Sequence, residues 1–392
     1  MRLQSIKFIQ YEGGPRVWTL EELALGETNL VVGRNACGKT RTLNIIHNLA
    51  RLISGRIREL FDSGDYVAKF RDGSDSYEYR LKYAGFKVTQ ESFIKNNKVL
   101  LERGAEGRGK IAFEKASGEM QEFQHEDSVL AVCARKGDTI QHSFLEPLHS
   151  WARSLYHYSF GGNLGQSSYA GVVKKEDVAD EVMSWQTDRV VVIWVDGEKR
   201  FPGEFERMIL SDMARLDYPI DKITVAPPIA IRFQGVPVAG IVGLSAKESD
   251  LIAPTEQFEM SDGMFCALSL LIQVNYAIMT GRAACVVIDD SGEGLDFERS
   301  CKLIELLMEK TSCSKVQLIM STNDRFVMNA VPLKAWTILK RRGHLVKVFN
   351  YINSKSIFDE FQYMGLNNFD FLAMDFVEGE GSGEKTEEEA EG

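Results

Sequence analysis

Residues 33–40 have the spacing G-x-x-x-x-G-K-T, which is the pattern of a phosphate-binding loop. The two glycines let the backbone curl so that successive N–H groups point inward, and the N-terminus of the following helix adds partial positive charge. Lys39 is long enough to reach the β- and γ-phosphates of a nucleotide, and the Thr40 hydroxyl is a ligand for Mg²⁺. The pattern therefore predicts a site for ATP and Mg²⁺. Its residues are Gly33, Arg34, Asn35, Ala36, Cys37, Gly38, Lys39, Thr40 and Arg41.

A second set of chemically active residues follows an apolar segment late in the chain. Residues 284–288 are all apolar, and they are followed by Asp289 and Asp290, with Glu293 close behind. A strand of this kind delivers its last side chains to the carboxyl edge of a parallel sheet, where ligands bind. Asp289 can then hold Mg²⁺, directly or through water, and Asp290 can orient or deprotonate an attacking water. Whether Asp290 or Glu293 is the base stays open at this point.

Two further polar stretches complete the predicted site. Ser261 and Gly263 precede an apolar helical pattern, and a hydroxyl with bare N–H groups at a helix start can bind an anion. An N-cap explains Ser261 equally well. The mainly apolar segment 316–320, which contains Gln317, leads into a polar stretch that contains Asn323. Asparagine can donate a hydrogen bond to a γ-phosphate, but it cannot accept a proton near neutral pH.

The elements that position these residues predict an α/β fold. Residues 30–33 form an apolar strand before the loop, and the periodic segment after it indicates a helix. Alternating side chains and glycine-rich turns predict a β-rich region over 66–135. We expect a helix over 143–158, a strand over 190–195 and a helix near 204–215.

The composition is that of a globular protein, with 44% hydrophobic and 26% charged residues among 392. There is no apolar run of eighteen residues and no signal-peptide core, so we expect a cytoplasmic protein without a membrane partner. The six scattered cysteines agree with a reducing compartment. Residues 377–392 contain seven glutamates and one lysine, which predicts a disordered acidic tail. The rest of the chain is mildly acidic, so its global charge does not indicate a nucleic-acid binder.

These motifs occur in the order phosphate loop, serine-glycine helix start, acidic strand end with a Gly-Leu-Asp stretch, and Ser-Thr-Asn strand end. The set resembles the ABC-type ATPases of the SMC, RecF and OLD group, particularly the short prokaryotic AAA-family members, over about 1–60 and 245–350. The resemblance implies a P-loop NTPase fold of the ABC-ATPase head type, with a mixed sheet, a β-rich lobe and a helical insertion. It also implies that ATP and Mg²⁺ lie between two heads, where Ser261 and Gly263 of one head face the phosphate loop of the other.

The chain departs from the family pattern at two places. The acid after the magnesium aspartate is usually glutamate and here is Asp290, which is one methylene shorter; Glu293 is a candidate substitute. The last motif usually carries histidine and here carries Asn323. Both differences suggest slow hydrolysis, or use of ATP mainly as a clamp. For the glutamine that usually couples the two lobes, Gln141 and Gln166 are candidates by position only.

The resemblance also suggests a division of the chain into five parts. Residues 1–60 form the phosphate-loop part of the head, and 61–244 form a β-rich and helical insertion lobe. Residues 245–352 carry the serine-glycine helix start and the acidic strand, 353–376 are a helical segment, and 377–392 are the acidic tail.

The leading functional hypothesis is an ATP-dependent switch that assembles as a homodimer or larger homo-oligomer through its ATP site. Because no coiled coil, cysteine hook or fused nuclease is recognised in the sequence, we expect a separate effector, such as a nuclease or toxin of an anti-phage system. The first alternative is a RecF-like DNA-repair ATPase that contacts phosphates through residues 340–342 or the basic loop 103–110. The second alternative is a scaffold that binds ATP without hydrolysing it.

Overall fold

The chain forms a mixed α/β structure, which confirms the predicted fold class. The computed structural model describes residues 1–57, 59–113, 119–135, 138, 140–160, 170–171, 190–229 and 241–378. The strands are β1 (Arg2–Gln10), β2 (Trp18–Ala24), β3 (Thr28–Val32), β4 (Ser63–Asp72), β5 (Asp75–Ala84), β6 (Lys87–Lys95), β7 (Lys98–Arg103), β8 (Arg108–Phe113), β9 (Glu119–Gln124), β10 (Leu155–Ser159), β11 (Ala170–Gly171), β12 (Ile220–Ala226), β13 (Ile241–Glu248), β14 (Thr255–Glu256), β15 (Ala284–Asp289), β16 (Val316–Ser321), β17 (Trp336–Arg342) and β18 (Leu345–Asn350). The α-helices are α1 (Lys39–Ile53), α2 (Ala131–Ala134), α3 (Glu146–Arg153), α4 (Val190–Arg200), α5 (Glu204–Arg215), α6 (Asp262–Met279), α7 (Phe297–Ser312), α8 (Arg325–Ala330), α9 (Lys355–Tyr363) and α10 (Asn368–Ala373).

Within the described residues, one large mixed sheet positions the predicted site. Its strand order is β10–β15–β16–β3–β17–β18–β2–β1–β4–β5–β6–β7–β8–β9. The neighbours from β10 to β17 are all parallel, whereas the strands from β2 and β1 through β4 to β9 are antiparallel. The parallel register places Ser321 opposite Val31 and brings the ends of β15, β16 and β3 to one edge. This edge therefore receives the phosphate loop and both polar strand ends.

The parallel part of the sheet is buried on both faces, which explains why its strands are almost wholly apolar. On β15, Val286 and Ile288 face one hydrophobic core, and Cys285 and Val287 face the other. Helix α1 packs in the second core, and α6 and α7 pack in the first. The alternation of β15 between the two cores directs Asp289 toward the α1 face of the sheet.

Helix α6 is the central helix of the first core. By length and composition it could cross a membrane, but 83% of it is buried inside the fold. It packs against α4, α5 and β16. A helix that is apolar all round is typical of a protein interior, because every face must meet apolar neighbours.

The antiparallel strands β4–β9 continue the sheet into a β-rich lobe, as the alternating pattern predicted. The lobe corrects one expectation about the basic loop 103–110. Arg103 is buried, donates hydrogen bonds to the carbonyl oxygens of Val129 and Glu126, and lies 3.7 Å from the buried Glu91. It therefore stabilises the lobe interior and is not available to bind a phosphate backbone, unlike the exposed Arg108 and Lys110.

Of three other predictions of secondary structure, one is wrong in part, one is wrong and one is confirmed. The periodic aromatic segment 143–158 contains the short helix α3 and then the strand β10, which pairs with β15. The apolar run 190–195 lies in helix α4, because Val190, Val191 and Trp194 pack on one side at helical spacing and tertiary packing overrides their strand propensity. The predicted helix near 204–215 is α5.

The C-terminal helices α9 and α10 dock on the first core through aromatic rings. Phe358, Phe361 and Phe371 are buried, with ring centroids 4.7–4.8 Å apart. Phe376 extends the cluster. Of the acidic tail predicted over 377–392, residues 377 and 378 end a short helical turn, and residues 379–392 lie outside the described residues.

Candidate functional site

The phosphate loop lies between β3 and α1 and packs tightly against its neighbours. A Cβ atom on Gly33 would lie 2.6 Å from both Cys37 Sγ and Leu339 O, so a side chain does not fit there. Gly38 has φ +108°, which is unfavourable for other residues, and a Cβ there would lie 3.3 Å from the Trp18 ring. The two glycines of the motif are therefore required by the fold of the loop itself.

The start of α1 is suited to an anion. No side chain caps this helix, and its first turn contains no acid. The starts of α6, α7 and α8 differ, because Ser261, Asp296 and Asp324 each accept a hydrogen bond from a backbone N–H of their own helix. The N–H groups at the start of α1 thus lack a side-chain acceptor and can bind a phosphate group, as the sequence motif requires.

Lys39 is the buried cation of the loop. It is 7% exposed, and its Nζ atom donates a hydrogen bond to Gly33 O at 2.9 Å. The lysine therefore bonds to the first residue of its own loop. From this position its ammonium group can replace the carbonyl of Gly33 by a phosphate oxygen as its hydrogen-bond acceptor. Thr40, the predicted Mg²⁺ ligand, is exposed at the first turn of α1. Burial raises the pKa of the neighbouring Cys37 thiol, which keeps it in its neutral form.

The two arginines of the predicted site lie on opposite sides of the loop. Arg41 donates a hydrogen bond to Gln10 Oε1 at 2.5 Å, and its guanidinium lies 4.1 Å from the ring centre of Trp18. Arg34 is 76% exposed and lies 3.7 Å from Asp375, beyond α10. Arg34, Asn35 and Ala36 form one wall of a cleft of about 510 Å³, and the β17–β18 turn forms the other wall.

A larger open groove of about 1150 Å³ lies between β6 and β9 in the β-rich lobe. Its lining includes Gln90, Glu102, Arg108 and Phe123, and none of the predicted site residues. The largest volume of this pair of cavities therefore does not coincide with the residues that could bind a nucleotide.

The end of β15 is joined to the end of β16 by Ser321. The Ser321 hydroxyl donates a hydrogen bond to Asp289 Oδ1 at 2.5 Å and accepts one from the backbone N–H of Asp290 at 3.0 Å. Thr322 supports the same loop with a hydrogen bond to Ser291 O at 2.9 Å. Ser321 thus fixes the direction of the carboxylate that would hold Mg²⁺ and the backbone of the acid that follows it.

Asp290 has an unusual backbone conformation and a raised pKa. Its φ of +52° lies in the left-handed region, which aspartate tolerates better than most residues. Burial, followed by the nearby charges of Asp289 and Glu293, raises the pKa of Asp290, and Lys39 opposes the shift. Asn323 donates a hydrogen bond to Asp290 Oδ1 at 3.2 Å. The structure therefore brings the predicted residues Asp290 and Asn323 into direct contact.

Glu293 lies one turn further along the same loop and is exposed. Its backbone N–H donates a hydrogen bond to Asp290 O at 3.1 Å. In the described part of the chain, the hydrogen bonds of Glu293 involve its backbone only. Its carboxylate is therefore less constrained than that of Asp290, which Asn323 holds by one oxygen.

Ser261 and Gly263 lie at the start of α6, where the N-cap explanation of Ser261 holds. Ser261 Oγ accepts a hydrogen bond from Met264 N at 3.3 Å. A Cβ on Gly263 would lie 2.5 Å from Gly294 O and 2.8 Å from a methyl of Leu295, so the helix start packs directly on the loop after β15. In the described part of the chain, no hydrogen bond or ion pair joins Ser261 or Gly263 to residues 33–41.

Comparison with known proteins identifies the fold. No protein-family model matches this chain, and no curated protein matches it. A crystal structure of the SmcHead bound to the C-winged helix domain of ScpA superposes with a TM-score of 0.55 at 12% identity, over 91% of this chain and 99% of that one. The fold is that of an SMC head domain. This confirms the resemblance to ABC-type heads at the level of fold.

Two further SMC heads are also similar to this chain. The SMC head domain from Thermotoga maritima has 12% identity and a TM-score of 0.43, over 89% of this chain and 99% of that one. The Smc head with an extended coiled coil bound to the C-terminal domain of ScpA, derived from Pyrococcus furiosus, has 12% identity and a TM-score of 0.47, over 92% and 99%.

In this SMC-head fold, the residues predicted from sequence form two groups. Residues 33–41 and Asp289, Asp290 and Asn323 belong to one edge of the parallel sheet, whereas Ser261 and Gly263 belong to a helix start beyond the loop 290–296. The coupling glutamine stays unassigned: Gln166 lies outside the described residues, and Gln141 lies in a turn before α3.

Sequence reasoning missed Ser321, although it lies in the polar stretch that contains Asn323. Its role depends on the adjacency of β15 and β16 and on their parallel register, in which Ile288 is opposite Met320. A strand-pairing prediction would have placed Ser321 next to Asp289. The contact of Asp375 with Arg34 could not be predicted from any sequence pattern, because it depends on how the C-terminal helices dock.

Proposed function

We propose that this chain is an ATP-binding and slowly ATP-hydrolysing switch whose heads enclose ATP between two subunits. The observation that carries the proposal is the convergence of the uncapped start of α1, Lys39, the Asp289–Ser321 pair and the Asp290–Asn323 pair at one sheet edge. This is the donor and acceptor set that a nucleotide with Mg²⁺ needs.

Each residue has a distinct proposed role. The backbone N–H groups of residues 33–41 and the Lys39 ammonium bind phosphate oxygens, and Arg41 supports this loop from the Trp18 side. Thr40 and Asp289 are the Mg²⁺ ligands, and Ser321 orients Asp289. When bound, ATP with Mg²⁺ supplies a phosphoanhydride whose negative charge the metal partly neutralises.

Asp290 is the proposed general base, with Asn323 as its positioning partner. The raised pKa of Asp290 makes its carboxylate more basic than an exposed aspartate, which favours proton abstraction from water. The amide of Asn323 holds one carboxylate oxygen and leaves the other to face a water molecule. Because Asn323 cannot accept a proton and Asp290 has a shorter reach than glutamate, we propose a low turnover rate.

A second copy of the chain is proposed to complete the site. Ser261 caps α6, and its hydroxyl hydrogen remains able to donate to a γ-phosphate of a facing head. Gly263 packs on Gly294, so the loop 290–296 extends from the proposed base to the helix start that would serve the other site. Hydrolysis in one site can therefore be transmitted to the other through this loop.

The proposed output is control of a separate effector, such as a nuclease or toxin in anti-phage defence. The support is the resemblance to stand-alone ATPases of that group. The similar head bound to the C-winged helix domain of ScpA is a precedent for a protein partner on this fold. The five-part division of the chain and a cytoplasmic location belong to the same proposal.

The test combines nucleotide hydrolysis with mass in solution. Phosphate release is measured for the wild type, Lys39→Ala and Asp290→Asn, and light scattering is recorded with and without ATP and Mg²⁺. We expect slow release that Lys39→Ala abolishes, and an ATP-dependent increase in mass that Asp290→Asn prolongs. Release that is unchanged in Lys39→Ala would contradict the site, and a constant mass would contradict the two-headed arrangement.

DNA binding is the second candidate, and one observation favours it. Arg341 and Arg342 are exposed on the β17–β18 turn beside the phosphate loop, where they could contact backbone phosphates. Because Arg103 is buried, the proposal that the loop 103–110 also contacts DNA is weakened. DNA binding would be supported if the protein binds a duplex only with ATP and if this binding weakens steeply with salt. The double variant Arg341→Ala/Arg342→Ala should then lose the binding.

A further inference from the structure

Two half-exposed phenylalanines pack against each other at a tilt beside the loop that carries the proposed base. Phe297 is 53% exposed and Phe326 is 40% exposed, and their ring centroids lie 5.1 Å apart with an interplanar angle of 35°. The guanidinium of Arg325 lies 4.8 Å from the ring centre of Phe326. Water-exposed aromatic side chains of this kind are common at the centres of protein interfaces, because binding removes a large apolar area from water.

The pair is held rigidly, because each ring projects from the first turn of a capped helix. Asp296 accepts a hydrogen bond from Arg299 N at 3.0 Å and caps α7, which begins at Phe297. Asp324 accepts one from Phe326 N at 2.6 Å and caps α8. The backbone that carries each ring is therefore ordered by a cap before any partner binds, which reduces the entropic cost of binding.

The location of the pair connects it to the proposed site. Phe297 follows Leu295 and Asp296, and Leu295 packs near the Gly263 position at the start of α6. Phe326 follows Asn323, the residue that holds Asp290. Each ring thus belongs to a helix start that directly follows one part of the proposed site.

The charges at this edge favour a second copy of the chain as the partner. The neighbourhood of the aromatic pair is acidic on balance, with five carboxylates against the cations Arg299 and Arg325. Its exposed or half-buried carboxylates are Asp290, Glu293, Asp296, Glu298 and Asp324.

The other half of the same edge is basic. Its exposed cations are Arg34, Arg41, Arg341 and Arg342. In a two-fold dimer the acidic half of one copy can face the basic half of the other twice, so the edge is complementary to itself.

We infer that the Phe297–Phe326 pair is the apolar anchor for a second copy of this chain, and that it binds the phosphate-loop flank that carries Arg34 of that copy. This inference rests on the proposed two-headed function. Arg34 is suited to the contact because its guanidinium is largely exposed and can stack on an aromatic ring. Two rings alone are far smaller than the roughly 800 Å² per partner that a stable interface buries, so the charged residues form its rim.

The first experiment measures dimer formation by light scattering over a range of protein concentrations with ATP and Mg²⁺. It compares the wild type, the double variant Phe297→Ala/Phe326→Ala and the control Phe86→Ala, whose ring is 59% exposed on the β5–β6 turn. We expect the double variant to raise the dimer dissociation constant about tenfold or more, and the control to leave it unchanged. Binding of a fluorescent ATP analogue to dilute protein should be the same in all three.

Equal dimerisation of the double variant and the control overturns the inference and leaves the proposed function intact. A wild type that binds nucleotide but stays monomeric overturns the proposed two-headed function and, with it, the inference.

A mixing experiment tests the assignment of Arg34 as the counterpart. Neither the double variant nor Arg34→Ala alone should dimerise well. When the two are mixed, the heterodimer retains one intact contact between the rings of one chain and Arg34 of the other. We expect more dimer in the mixture than in either variant alone. A mixture that dimerises no better than its components overturns the assignment.

Discussion

Asn323 Nδ2 donates a hydrogen bond to Asp290 Oδ1 at 3.2 Å and so connects the loops that follow two neighbouring parallel strands. The ABC-type pattern that the sequence resembles usually has histidine at the position of Asn323 and glutamate at the position of Asp290. The two differences thus occur in a pair of side chains that contact each other. Their effects on hydrolysis should be coupled and not additive.

The identity of the base can be tested by comparing Asp290 with Glu293. We expect Asp290→Asn to lower kcat for phosphate release by at least about 100-fold, because the amide cannot accept a proton. Nucleotide affinity should change little. Glu293→Gln is the matched control, since its side chain is exposed and the Asn323 amide donates its hydrogen bond to Asp290 instead. If Glu293→Gln causes the larger loss, the assignment of the base must be reversed.

Ser321 should control the affinity for Mg²⁺ without contacting the nucleotide. Ser321→Ala removes the hydroxyl that donates to Asp289 Oδ1, so the carboxylate loses its orientation. We expect the Mg²⁺ concentration for half-maximal activity to rise about tenfold, as for other residues that orient metal ligands. Ser321→Thr keeps the hydroxyl and should restore the wild-type value. An unchanged Mg²⁺ dependence in Ser321→Ala would exclude this role.

The contact between the α6 start and the loop after β15 predicts a strong effect of one methyl group. Gly263→Ala places a Cβ 2.5 Å from Gly294 O, a backbone atom that cannot rotate away. We expect the free energy of unfolding to fall by about 1–3 kcal/mol, as in other overpacked sites. Gly104→Ala is the control, because its Cβ meets nothing within 4 Å and its φ is −101°. Urea titrations that give equal stabilities for both variants would contradict the packing described here.

A partly buried histidine predicts how stability depends on pH. His47 on α1 stacks on His157 with ring centroids 4.6 Å apart, and burial, followed by the charges of His157 and Arg51, lowers the pKa of His47 to about 3. The unfolded chain binds this proton near pH 6.5 and the folded chain does not, so stability is lost as the pH falls from 6.5 toward 3.

Between pH 7 and pH 5, this single group should lower the free energy of unfolding by about 2 kcal/mol. Urea titrations of the wild type and His47→Gln at both pH values measure the difference, since the glutamine does not titrate. Equal losses in both proteins would show that His47 is not the group responsible.

The parts of the fold that sequence predicts best are those set by local geometry. The loop 33–40 and the apolar strand before Asp289 carry spacing patterns that few other structures satisfy, and both lie at the predicted sheet edge. The apolar run of α4 carried no such information, because consecutive valines suit a buried strand or a buried helix equally well. Packing on α6 decided between them.

The parts that could not be predicted depend on contacts between distant segments. Arg103 belongs to a run of basic residues that suggests an exposed loop, yet carbonyl groups of residues 126 and 129 and the carboxylate of Glu91 surround its guanidinium. The link between Arg34 and Asp375 joins residues more than 300 positions apart. No pattern along the chain encodes either contact.

The uncapped start of α1 affects the folding stability of the protein before it binds a partner. Helices α6, α7 and α8 carry their own caps, so their stability is complete within the chain. For α1 the phosphate group of the nucleotide would be the cap, and a missing cap typically costs about 1 kcal/mol. Newly made molecules would therefore gain part of their folding free energy from the ATP of the cell, and nucleotide depletion would shorten their survival.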